Sequence, residues 1–154
     1  MKKRKLIYII GVCVVIMGVG LLNIFLLSVV RVSGVSMEPT LEDGSYVVIR
    51  KNVEYYRRDI VLAHDQTGEH IIKRVVGLGG DYVQITSNSV YVNGELFDCR
   101  ENHENSEFVM DIYVPDNTVF LLGDNRKEST DSRTFGCLDI DRIVGVALVK
   151  TKEK

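Results

Sequence analysis

Two residues of this chain have the chemistry of a nucleophile and its base. Ser36 lies in Ser33-Gly34-Val35-Ser36-Met37-Glu38-Pro39-Thr40-Leu41, a segment with tight-turn character. A serine hydroxyl is a poor nucleophile and needs a neighbouring base. Gly34 allows close backbone approach, Pro39 stiffens the chain just after, and the Ser36 N–H can face a developing oxyanion. Taken alone, the segment reads first as a loop serine capping a turn.

Lys73 changes that balance. It stands between Ile71-Ile72 and Val75-Val76, inside what reads as a buried strand. A buried ammonium is costly, so burial lowers the lysine pKa and lets the amine accept a proton. The alternative is an outward-pointing lysine on an alternating strand. A period of two leaves the face open, since Ile71 and Lys73 share one side and Ile72 and Arg74 the other.

A third cluster runs Gly123-Asp124-Asn125-Arg126-Lys127-Glu128-Ser129-Thr130-Asp131-Ser132-Arg133. It is either a solvated turn or a hydrogen-bonded scaffold that orients a base. Ser129 can bond the Lys73 amine, and Asp131 and Arg133, two apart, share a side and can pair. His64, His70 and His103 lack zinc-ligand spacing. A Ser–His arrangement through His70 is open in principle, with a half-exposed strand residue as the plainer reading. Gly77-Leu78-Gly79-Gly80 is a turn between strands, not the opening of a phosphate-binding helix.

The elements that must carry these residues are strands. Tyr46–Ile49, Ile60–Leu62, Ile71–Ile72 with Val75–Val76, Tyr82–Ile85, Val119–Leu122 and Ile143–Val149 are short β-branched runs between turn residues. Asn93-Gly94 between Tyr91-Val92 and Glu95-Leu96 is a hairpin signal, because both residues accept positive φ. Without crossover helices, the expected fold is all-β: mostly antiparallel sheets, closed as a barrel or stacked as a sandwich. Residues 31–154 suffice for one such domain. Asp98–Glu107 reads as an exposed loop, and Lys150–Lys154 as a solvated tail.

Before that domain, Leu6–Val30 is 25 residues without a charge. A helix of that length reaches roughly 37 Å, against about 30 Å of bilayer hydrocarbon. The run has no polar stripe and is longer than the apolar core of a cleaved secretory signal, so it reads as a transmembrane anchor over 6–30. Lys2, Lys3, Arg4 and Lys5 precede it, which places residues 1–5 in the cytoplasm and 31–154 outside. The whole chain is at −2 and this basic tail carries +4, leaving −6 on the remainder. With no basic stripe, nucleic-acid binding is set aside. Cys13 lies in the apolar run; Cys99 and Cys137 are either a disulfide or two free thiols.

Taken in order, these segments resemble the bacterial type I signal peptidases of peptidase family S26, in their Gram-positive-like form. Ser33–Leu41 looks like the nucleophile box, Arg58-Asp59-Ile60-Val61 like the following strand box, Lys73–Asp81 like the base box and Gly123–Arg133 like the last. The resemblance covers nearly the whole chain and implies a small accessory β region at 84–118. It implies a membrane-anchored serine endopeptidase that removes signal peptides of exported preproteins after small, Ala-x-Ala-like residues. It implies Ser36 as nucleophile, Lys73 as general base and Ser129 as the residue orienting Lys73. Asp124, Asp131, Arg74 and Arg133 would be the ion-pair scaffold, and Met37, Leu41, Ile71 and Ile72 would line shallow apolar pockets. The oxyanion would rest at Ser36, beside Gly34, which stands where some relatives carry a hydroxyl. Such a mechanism needs no metal and no organic cofactor; its partners are the precursors and membrane lipid. Gly79 stands where proline is usual and Arg58 where glycine is usual. A peptidase specialised for one substrate class, or an inactive relative that binds precursors, is the alternative.

Overall fold

β-Branched runs separated by Gly, Asn and Asp turns fold into two antiparallel sheets in the computed structural model. Residues 2–100 and 109–149 are described, apart from the side chains of residues 2–4, 6, 19–25 and 109. After a helix, α1 (Lys2–Leu26), the strands are β1 (Leu27–Arg31), β2 (Tyr46–Lys51), β3 (Ile60–His64) and β4 (His70–Leu78). Then come β5 (Tyr82–Thr86), β6 (Val90–Val92), β7 (Glu95–Asp98), β8 (Val109–Tyr113) and β9 (Thr118–Leu122). A short helix α2 (Ser132–Phe135), β10 (Leu138–Asp139) and β11 (Ile143–Ala147) complete the order.

Seven strands form one sheet in the order β1-β2-β11-β3-β4-β9-β10; the other sheet is β7-β6-β5-β8. The side-chain pattern explains each face. β2 alternates, with Val47 and Ile49 inward and Tyr46, Val48 and Arg50 outward. Ile60–Ala63 of β3 is buried on both faces, as its unbroken apolar run requires. The β6–β7 hairpin turns on Asn93 and Gly94 at φ +54° and +81°, the backbone that the Asn-Gly pair favours.

The core has three parts. Val32, Met37, Leu41, Val47, Ile49, Ile60 and Leu62 pack beneath the turn that carries Ser36. Val61, Val75, Val119, Leu121 and Leu138 pack around β3, β4 and β9. Val76, Val83, Ile85, Phe97, Phe120 and Leu122 join the two sheets. Each such side chain contributes about 1.5–3 kcal/mol when fully buried.

The N-terminal segment differs from the sequence expectation. A helix over 6–30 was expected, but α1 ends at Leu26 and β1 follows, pairing Val29 with Val48 and Val30 with Val47. Among the described residues no helix is long and apolar enough to cross a membrane. The described large apolar side chains from Ile7 to Met17 are exposed on every side of α1.

The accessory sheet spans Tyr82 to Tyr113, slightly offset from the expected 84–118. The expected loop Asp98–Glu107 lies outside the described residues from position 101 onward, as do His103 and the tail 150–154. Cys99 and Cys137 are free thiols.

Candidate active site

The turn after β1 presents Ser36. Glu38 N–H donates to Val35 O at 3.1 Å, and Thr40 and Leu41 N–H groups donate to Met37 O at 2.9 and 3.0 Å. Met37 is 1% exposed and Leu41 is buried, and both pack into the core beneath this turn. Ile71 and Ile72 of β4 are half-buried.

Lys73 lies on β4 opposite Val61 of β3, and β4 is covered on both faces from Lys73 to Gly77. That resolves the question a period of two left open: Lys73 and Arg74 point to opposite sides, yet both are buried. Lys73 Nζ donates to Ser36 Oγ across 2.7 Å. Burial pushes the Lys73 pKa below the ordinary lysine value; the Asp131 charge opposes this and the Arg133 charge reinforces it. Once Lys73 is neutral, the same contact can carry the Oγ–H proton to Nζ.

The loop after β9 folds around Asp131, whose side chain is fully buried. Asp131 Oδ2 accepts from Gly123 N–H at 3.0 Å and from the Ser129 hydroxyl at 2.8 Å. Its Oδ1 accepts from Arg133 Nε at 2.8 Å and caps the N-terminus of α2. Ser129 was expected to bond Lys73; its hydroxyl goes to Asp131 instead. Asp131 and Arg133 pair as expected.

Arg74 and Asp124 form the second ion pair, on the other side of β4. Arg74 Nε donates to Asp124 Oδ1 at 2.7 Å, and Arg74 NH2 and Thr40 Oγ1 both donate to Oδ2. Burial works to raise the Asp124 pKa, but bonds and charge from Arg74, with Thr40 and Arg100, hold the carboxyl below the usual range.

Three contacts were not anticipated. Asn125 N–H donates to Ser36 O at 3.0 Å and its side-chain amide donates to Val35 O at 3.2 Å, so this loop seats the Ser36 turn. Gly123 sits at the crossing, where a β-carbon would stand 2.1 Å from Ser129 Oγ and 2.6 Å from Ser36 O. Arg100 reaches Asp124 from the end of β7. The sequence signal was there as a dense polar cluster, without any cue to which member faced Ser36.

Of the two expected oxyanion groups, Gly34 N–H is engaged with Asp43 Oδ1 at 2.8 Å. Among the described residues nothing accepts from the Ser36 N–H. His64 and His70 stack on each other at 4.5 Å at the end of the β3–β4 hairpin, and neither bonds Ser36. Gly79 packs against backbone at 115–117, where a β-carbon would find atoms 3.1–3.2 Å away.

Residues 3–151 match the family model described as signal peptidase, peptidase S26. A signal peptidase IB of Staphylococcus aureus is 30% identical, over 94% of this chain and 88% of its own. A signal peptidase I of Bacillus licheniformis is 35% identical, over 82% of this chain and 77% of its own. A crystal structure of a signal peptidase I from Enterococcus faecalis V583 superposes with a TM-score of 0.52 at 28% identity, covering 61% of this chain and 97% of that one.

Proposed function

The chain belongs to the signal peptidase family, peptidase S26, and from that we propose that it is a serine endopeptidase removing signal peptides from exported precursors with Ser36 as nucleophile and Lys73 as base. The reading rests on one observation above others: a buried lysine amine 2.7 Å from a turn serine hydroxyl.

Neutral Lys73 takes the Oγ–H proton while Oγ forms a bond to the scissile carbonyl carbon. The resulting oxyanion is held by the Ser36 N–H. Lys73 gives its proton to the leaving amine nitrogen as the C–N bond breaks. A water then attacks the ester, Lys73 takes the water's proton, and that proton returns to Oγ as the acid leaves. Asp131, Arg133, Arg74, Asp124 and Ser129 keep the scaffold around this exchange.

The substrate adds as a strand to the edge of β4. β3 pairs with β4 from His70 to Arg74, whereas β9 pairs with it only from Arg74 to Leu78. The β9 side of His70–Lys73 is thus an edge that an extended peptide can use, with main-chain bonds giving affinity. Ile71 and Ile72 beside it favour small residues before the cut.

The apolar segment within 6–30 tethers the enzyme to the bilayer, with residues 1–5 cytoplasmic and the β domain outside. Support comes from the uncharged run, the four basic residues before it and the exposed apolar side chains of α1. Tethering enzyme and precursor to one membrane raises their effective concentration.

The test is a detergent-phase cleavage assay on a precursor whose signal ends in Ala-x-Ala, with N-terminal sequencing of the product. Cleavage after the final Ala by wild type, and none by Ser36→Ala, is the expected result. A folded wild type that leaves the precursor intact contradicts the reading.

A further inference from the structure

The outgoing end of β7 reaches the scaffold around Ser36 by two separate routes. The first passes through Arg58, which holds φ +79°, a left-handed backbone that disfavours any side chain. Its guanidinium lies 4.5 Å from the Phe97 ring centroid and donates to Phe97 O at 3.0 Å. Its own carbonyl accepts from Arg74 NH1 at 2.6 Å. Phe97 is thereby coupled through one residue to the Arg74–Asp124 pair.

The second route starts at Asp98. Its Oδ2 accepts from Arg126 NH2 at 2.8 Å and pairs with Arg100 Nε at 3.1 Å. Arg100 NH1 reaches Asp124 Oδ1 at 3.0 Å and the Asp124 carbonyl at 3.1 Å. Arg126 Nε donates to Gly123 O at 2.9 Å. Both routes end on the loop whose Asn125 N–H holds the Ser36 carbonyl.

We propose that Phe97–Arg100 is a positioning element that fixes the Ser36 turn relative to Lys73, acting through Arg58 on Arg74 and through Arg100 and Arg126 on the loop 123–125. The inference rests on the Ser36/Lys73 reading. None of these residues touches the reacting atoms, so all are positioning residues. The effect is one of position: small displacements of a nucleophile from its attack geometry cost large factors in rate. The accessory sheet is in this sense part of the catalytic apparatus, although its strands lie outside the sheet that carries Lys73.

The test uses the full chain in detergent with a short cleavable peptide. Arg58→Gly is the informative variant, because glycine relieves the positive φ while removing the grip on Phe97. Its unfolding midpoint is expected to match or exceed wild type, while kcat falls about tenfold and KM stays within about twofold. Asp98→Asn and Arg100→Gln are expected to lose kcat similarly. Their double variant should lose little more than the worse single, because both act on one route. Adding Arg58→Gly should deepen the loss. The acid limb of the rate profile should stay put in all of them, since Asp131 and Arg133, the charges acting on Lys73, are untouched. Wild-type kcat in Arg58→Gly and Arg100→Gln, or losses that simply track the unfolding midpoint, would overturn the proposal. Wild type inactive, or Lys73→Ala fully active, would instead overturn the Ser/Lys reading beneath it.

Discussion

The Ser129 hydroxyl donates to Asp131 Oδ2 across 2.8 Å and makes no bond to Lys73. Ser129 therefore reaches Lys73 at one remove, by holding the carboxylate whose charge opposes the effect of burial on the amine. Ser129→Ala should reduce kcat by about tenfold to a hundredfold, the scale of one lost charge-assisted hydrogen bond. KM should hardly move. Complete loss, equal to that of Lys73→Ala, would mean that Ser129 meets Lys73 directly during turnover.

Gly123 carries a steric requirement instead of a chemical one. A methyl group there would collide with Ser129 Oγ and with the Ser36 carbonyl, 2.1 and 2.6 Å away. Gly123→Ala should cost about 1–3 kcal/mol of stability, the range for overpacking, and should displace Ser36. Thermal unfolding and cleavage measured together check this; a variant unchanged in both contradicts it.

Asp124 links pH to stability. Its folded carboxyl titrates below the ordinary value, so its contribution is fully present above about pH 4, the unfolded carboxylate range. As pH falls further, the unfolded chain takes up the proton first, and that contribution is lost through the lowered folded pKa. Urea midpoints should drop below pH 4 in wild type and drop less steeply in Asp124→Asn. Identical slopes in the two proteins would remove Asp124 from this role.

The β2, β3, β5 and β9 strands and the Asn93-Gly94 hairpin were legible because β-branched runs and turn residues are local signals. β1 was not, because Leu27–Val30 continues the apolar composition of α1 and only pairing with β2 distinguishes it. Lys73 drew attention through its apolar neighbours, but only the folded domain, which buries both Lys73 and Arg74, decides its environment. The polar cluster at 123–133 was visible as a scaffold. Who bonds whom within it depends on the turn geometry, which sets Ser129 on Asp131 and Asn125 on the Ser36 carbonyl. Met37 and Leu41 stand out in the sequence only as apolar residues beside Ser36; that they are buried under its turn comes from the fold.

In the proposed mechanism a lysine made neutral by burial removes the Ser36 proton. The most direct measurement follows the Lys73 Nζ titration by NMR of 15N-lysine-labelled enzyme alongside the pH dependence of kcat/KM, which reports the free enzyme's essential groups. The expected result is a single shared midpoint, below the ordinary lysine value of about 10.4, with cleavage rising as pH increases through it. An amine that titrates at about 10.4 while cleavage is already maximal several units lower would contradict the assignment of Lys73 as the base.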